Sequence, residues 1–93
     1  MAIKFTWDPA KAAANLRKHG VSFDEASTAF ADFLSTAVPD LTHPAGEARW
    51  LLVGLTHRGR LVVVAHLDLP DQIRIISARL ATTRERHGYE EEA

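Results

Sequence analysis

Four arginines, Arg74, Arg79, Arg84 and Arg86, crowd the stretch 72–86 of this 93-residue chain. A guanidinium group carries parallel N–H donors on a flat, permanently charged frame, which matches the oxygens of a phosphate or carboxylate. The first half of the stretch reads as a strand, because Ile73, Ile75 and Ile76 are β-branched. Strict alternation puts Ile73, Ile75, Ser77 and Arg79 on one face and Arg74, Ile76 and Ala78 on the other. The second half reads as a helix start, with Thr82 as N-cap and Glu85 completing a capping box. Any one of these arginines is accounted for as a solvated surface charge. Four around one rigid strand-to-helix corner point to an anionic ligand. On this alternation Arg74 and Arg79 reach one site together if the strand bends or ends near Ala78.

The elements that must hold this corner belong to a single small domain, 1–93, with room for one core. No apolar run approaches the ~20 residues of a membrane span, and the N-terminal residues lack the apolar centre of a signal peptide. The chain has no cysteine, which removes disulfides, zinc–thiolate sites and thiol nucleophiles. A cytoplasmic location is expected. The net charge of −1 conceals a segregation: residues 1–47 carry −2, residues 48–86 carry +4 with arginine as the sole cation type, and residues 87–93 carry −3. A local basic surface on a near-neutral domain suits nucleic-acid contact or docking of an acidic partner.

In chain order, residues 3–7 alternate as a short strand and run into Asp8-Pro9, a good N-cap followed by a residue suited to the first helical position. The helix extends to His19 with Ala12, Ala13 and Leu16 as its apolar stripe and Gly20 as its stop. Ser22 and Glu25 form a second capping box, with Val21 placed to staple onto Ala26. Phe23, Ala26, Phe30 and Phe33 or Leu34 then mark a buried helical face, core rather than cofactor site. Residues 35–46 are turn-rich, with an edge strand at 36–38 limited by Pro39. Residues 48–56 and 61–67 flank the hairpin signal His57-Arg58-Gly59-Arg60, and a turn at 69–72 leads into the arginine-bearing strand. The expected architecture is α+β: two N-terminal helices and a C-terminal helix on one face of a small, mainly antiparallel sheet.

These residues resemble a known family. Trp7-Asp8-Pro9, Lys11, Asn15 and the run from Lys18 to Ala26 are similar to the N-terminal signature of the BrnT toxins. Asp32, Glu47, Arg49 and Gly54 fall where that family carries its middle motif. The segment from Ile73 to Arg79, with Ala81-Thr82, Arg84-Glu85-Arg86 and Tyr89-Glu90, looks like its C-terminal signature. The resemblance implies a RelE-like fold and a metal-independent ribonuclease of a type II toxin–antitoxin pair that blocks translation. It also implies a BrnA-type antitoxin that neutralises the toxin, with operator DNA bound through the antitoxin alone. A homodimer and a heterotetramer of two toxins and two antitoxins are the assemblies to test.

Metal-free RNA cleavage must deprotonate a ribose 2′-hydroxyl, stabilise a phosphorane and protonate the leaving 5′-oxygen, which calls for proton-exchanging groups and fixed cations. His19 is the foremost proton-transfer candidate, since histidine titrates closest to neutrality; a helix-end role beside the dipole fits it as well. Glu47 and Arg49, two apart at a strand start, are a base and phosphate clamp or a surface ion pair. Arg79 is assigned to transition-state charge, and Arg86, one turn into the last helix, to its support; Arg84 is expected to be exposed. Lys11, Lys18 and Arg74 are candidate phosphate contacts, and Tyr89 a stacking partner for a base, each with a solvated or packed alternative. His43, His57 and His66 fit no ligand spacing, so neither a metal nor a cofactor is expected. Two other readings stand beside the ribonuclease: a non-catalytic arginine-rich binding module, and a degenerate toxin kept as co-repressor subunit.

Overall fold

The computed structural model describes residues 3–42 and 48–92; Glu47, His43 and the Pro44–Gly46 turn signal lie outside the described residues. Nine elements follow one another: β1 (Lys4–Thr6), α1 (Pro9–His19), α2 (Phe23–Thr28), a 3-10 turn (Ala29–Ala31), β2 (Thr36–Pro39), β3 (Arg49–Leu55), β4 (Leu61–Leu69), β5 (Gln72–Leu80) and α3 (Thr83–Glu92). The five strands form one sheet in the order β1-β5-β4-β3-β2. Only β1 and β5 pair in parallel; β2 through β5 form an antiparallel meander. The class is α+β, with three helices against a mainly antiparallel sheet.

The local signals act as their chemistry requires. Asp8 accepts from the Ala10 N–H at 2.8 Å, Pro9 opens α1, and Gly20 closes it at φ +70°, where its N–H reaches Leu16 O. The second capping box is half made. Ser22 Oγ accepts from the Glu25 N–H at 3.0 Å, while the Glu25 carboxylate turns away to the hairpin between β3 and β4. There it takes Arg60 Nε at 2.8 Å, a second, shorter bond from Arg60 Nη2, and the Thr56 hydroxyl at 2.9 Å. Arg60 also donates to Gly20 O at 3.0 Å, so this one guanidinium joins the hairpin to both N-terminal helices. The Arg60 guanidinium, aided by the Thr56 hydroxyl and the charge of Arg58, holds the buried Glu25 carboxyl at about 2, below its ordinary 4.5, against the upward push of burial.

Two helical expectations fail for physical reasons. The α1 stripe holds only at Ala12, which packs against the core; Ala13 and Leu16 are exposed, and the buried residue is Asn15. The expected extension of α2 to Phe33 or Leu34 ends instead at Thr28, and Phe33 is fully exposed. Asp32 stops the chain by accepting from the Leu34 N–H at 3.0 Å, an Asx turn that competes with helix. The core beneath α1 and α2 is Val21, Phe23, Ala26 and Ala29 against Leu52, Val62, Val64, Ile75 and Ala78. Gly54 permits the close approach of the 3-10 turn, since a Cβ there would lie 2.8 Å from Ala29 O.

Strand β5 departs from strict alternation. Ser77 opposes Ala65 and Ile75 opposes His66, so Ile76 is an extra residue, a β-bulge. Directly opposed residues share a face. The face under α1 and α2 therefore carries Val62 with Leu80, Val64 with Ala78 and His66 with Ile75. The opposite face carries Arg79, Ser77 and Arg74 together. The bulge resolves the conflict in the sequence pattern by moving Arg74 and Arg79 to one side. The third helix lies on that side as well: Glu85, Gly88 and Tyr89 of α3 meet Thr36, Val38 and Val53. The helices thus cover both faces of the sheet rather than one, because Arg79 and its α3 partner point away from the core.

Where β1 ends opposite Arg74, β5 has no strand on that side. Asn15 fills the gap. Its amide accepts from the Ala78 N–H at 3.1 Å and donates to Ala78 O at 2.8 Å and Val21 O at 2.9 Å. Asn15→Ala is expected to lower unfolding free energy by about 2–4 kcal/mol, since it strands buried backbone groups, as read by chemical denaturation. Glu25→Gln is expected to cost on the order of 2–3 kcal/mol near neutral pH. Because the folded carboxyl titrates near 2 rather than 4.5, that contribution is complete above pH 4.5 and fades as pH falls towards 2. Denaturation curves of the two proteins should therefore converge over that window.

Candidate active site

The face of the sheet turned away from α1 and α2 is laid out in rows by the register. One row runs Thr6, Arg74, Leu67, Arg49; the next Ser77, Ala65, Leu51; the next Arg79, Val63, Val53, Thr36. Neighbouring strands lie ~4.8 Å apart, so the Cα atoms of Arg49 and Arg74, two strands apart, are separated by roughly 10 Å. Arg74 and Arg79 are about 15 Å apart along β5 by the strand rise. The result is a floor of aliphatic side chains with cations at its margins and an exposed serine between two of them.

Arg79 is the most constrained of these cations. Its Nη1 and Nη2 donate to the two carboxylate oxygens of Glu85 at 2.8 and 2.9 Å, and Nη1 also reaches Leu80 O at 3.3 Å. Glu85 simultaneously completes the capping box: its Oε1 accepts from the Thr82 N–H at 2.8 Å, and its own N–H donates to Thr82 Oγ1 at 3.2 Å. The Arg79 guanidinium, aided by the Thr82 bonds, holds the Glu85 carboxyl at about 2, although burial pushes the other way. The pair stays ionised at any working pH.

One turn further along α3, the Tyr89 hydroxyl donates to Asp32 Oδ2 at 2.6 Å. The same carboxylate accepts from the Leu55 N–H at 2.8 Å and, through Oδ1, from Leu34 N–H at 3.0 Å. Burial raises the Asp32 pKa, but these donors outweigh it and the net shift is downward; the carboxylate pushes the Tyr89 phenol up to about 12. Between α3 and strands β2 and β3 a cavity of about 240 Å³ is lined by Thr36, Val38, Val53, Glu85, Gly88 and Tyr89.

The remaining sequence candidates fall in different places. His19 is the half-buried last residue of α1. It stands four residues after Asn15, hence on the same side of the helix as the side chain that clamps Ala78, the neighbour of Arg79. Lys11 and Lys18 are exposed on α1 and share no face with the arginine rows. Arg49 is half-buried at the start of β3, and Glu47 lies outside the described residues. Arg84 and Arg86 are exposed on the first turn of α3. Tyr89 is half-buried with its hydroxyl engaged by Asp32. Sequence reasoning gave no role to Asn15, Asp32 or the second bond of Glu85. An asparagine inside a helix, a poor helix former at that position, was the available signal for the first; the other two depend on contacts across 57 and 6 residues.

Residues 7–85 match the family described as the ribonuclease toxin, BrnT, of type II toxin–antitoxin systems. The chain belongs to this BrnT family, and membership of a type II system implies an antitoxin partner. It is similar to the 1.1 Å crystal structure of the Brucella abortus ribonuclease toxin, BrnT, with a TM-score of 0.67 and 26% identity, covering 88% of this chain and 100% of that one. No curated protein matches the chain. Among the described residues, no helix is long and apolar enough to cross a membrane.

Tyr89→Phe removes one bond from Asp32 and leaves its two backbone bonds in place. The variant is expected to lose about 1–2 kcal/mol of stability and to show faster amide exchange in α3, measurable by hydrogen–deuterium exchange.

Proposed function

We propose that this chain, as a single 1–93 toxin domain acting in the cytoplasm, is a metal-independent endoribonuclease that blocks translation by cutting RNA. The observation that carries this reading is the bulge at Ile76, which sets Arg74, Ser77 and Arg79 on one sheet face, partly covered by α3, in a chain of the BrnT family. Single-stranded RNA lies along this face with its phosphates towards the arginines. Arg79, with its charge held in place, stabilises the phosphorane; Arg74, about 15 Å back along the strand, grips a neighbouring phosphate. His19 takes part in proton transfer from the 2′-hydroxyl or to the 5′-oxygen, with Glu47 as its counterpart and Arg49 and Arg86 as added positive charge. Tyr89 extends the contact from α3, while Lys11 and Lys18, on α1 and off this face, meet the strand only where it runs past the sheet edge.

Removing one fixed donor from a charge-stabilising site costs about 10²–10³ in rate. Incubation of the purified chain with RNA in excess chelator is expected to give cleavage that Arg79→Ala and His19→Ala each reduce by about that factor. Intact RNA together with retained, salt-sensitive binding would replace the enzyme with a non-catalytic binding module. The partner is a BrnA-type antitoxin that covers this face, and operator DNA is reached through it. Light scattering on the free and mixed proteins distinguishes a monomer or homodimer from a complex of two toxins and two antitoxins.

A further inference from the structure

The Arg79 side chain has five N–H donors in a fixed plane. Three are spoken for. The inner hydrogens of Nη1 and Nη2 go to Glu85, and the outer hydrogen of Nη1 goes to Leu80 O. The Nε–H and the outer Nη2–H make no bond among the described residues. These two are parallel and lie along one edge of the guanidinium, the geometry that takes two oxygens of a phosphate at once. The side chain is 41% exposed.

Glu85 is unusual in serving two neighbours with one carboxylate. Its Oε1 accepts both the Thr82 N–H and Arg79 Nη1, each at 2.8 Å. The helix that carries it has little apolar surface to bury, Tyr89 being its one large side chain with an aromatic body. Its placement is therefore set by polar anchors: the Thr82–Glu85 box at one end and the Tyr89–Asp32 bond a turn later. Since Asp32 also binds the Leu55 N–H at the end of β3, the helix is referenced to the sheet on both sides of the cavity beneath it.

We infer that Glu85 is a positioning residue: it fixes the Nη1–Nη2 edge of Arg79 so that the Nε–Nη2 edge remains presented to the phosphate undergoing cleavage. This rests on the ribonuclease reading and adds to it a residue that never touches RNA. A guanidinium on a free side chain samples many rotamers and must lose that freedom in the transition state, whereas one clamped at its far edge has already lost it. Glutamine at this helix position keeps the capping box but offers Arg79 a single neutral oxygen.

The test compares the parent chain with Glu85→Gln, Thr82→Ala and Arg79→Ala, using steady-state cleavage of one short RNA in chelator, thermal melting, and the Arg79 ¹⁵Nε–H resonance. Glu85→Gln is expected to melt below the parent, as Thr82→Ala does, but unlike it to lose about 10–100-fold in kcat with KM changed by less than about threefold, and to broaden or shift the Arg79 resonance. Thr82→Ala weakens the helix cap but leaves the ion pair, so it is expected to melt lower while keeping kcat within about threefold of the parent. Parent-like kcat and resonance in Glu85→Gln, with Arg79→Ala inactive, would overturn the positioning role and leave the ribonuclease intact. Equal kcat losses in Glu85→Gln and Thr82→Ala would also overturn it, reducing Glu85 to a helix cap. An inactive parent removes the ribonuclease reading and this inference with it.

Discussion

A primary amide in the middle of a helix, Asn15, holds the arrangement together. β5 loses its parallel neighbour after Arg74, and an unpaired sheet edge buried beside a helix would carry unsatisfied backbone groups. The Asn15 side chain supplies one donor and one acceptor to Ala78, as the backbone of another strand would, and spends its second donor on Val21 O at the turn into α2. One residue thereby locks α1, the start of α2 and β5 into a single frame. Leucine at this position would bury more hydrocarbon yet leave three polar groups without partners. The same bonds fix the last turn of α1, where His19 sits, relative to the end of β5, where Arg79 sits.

The sheet built on this frame has two unlike faces. One is sealed by α1 and α2 over a core of Phe23, Leu52 and small or β-branched side chains, with Glu25, Arg60 and Thr56 forming a polar strut at its rim. Among the described residues the other is covered by α3 alone, a helix of mostly charged residues held by Arg79–Glu85 and Tyr89–Asp32. Hydrophobic burial thus organises the first face and hydrogen-bond geometry the second. The second kind of order fixes cations in place without burying them.

Local chemistry was legible in the sequence. The Asp8, Ser22 and Thr82 caps, the Gly20 stop, the hairpin at 57–60 and the edge character of the Pro39 strand are all determined within a few residues. What could not be read required partners distant in sequence or one inserted residue. The bulge at Ile76 looks like any isoleucine in a β-branched run, yet it reverses the face of every residue before it, and with that the relation of Arg74 to Arg79. Leu16 fits an apolar stripe, but the helix rotates to bring Asn15 inward. Glu85 was recognisable as a cap and not as the partner of Arg79, since capping is local and the ion pair depends on how α3 crosses the sheet. The candidate residues at the C-terminal end of β5 could be named from sequence; which face they share could not.

The parallel pairing of β1 with β5 has a temporal side. Residues 4–6 find their strand partner only at residues 72–74, and Asn15 finds its acceptor and donor only at Ala78. During synthesis the first strand and first helix therefore leave the ribosome with their docking strand still unmade, and contacts of this sequence separation form late. The arginine face is assembled in that same final step, because β5 both closes the sheet and carries Arg74 and Arg79. The frame and the arginine face therefore mature together.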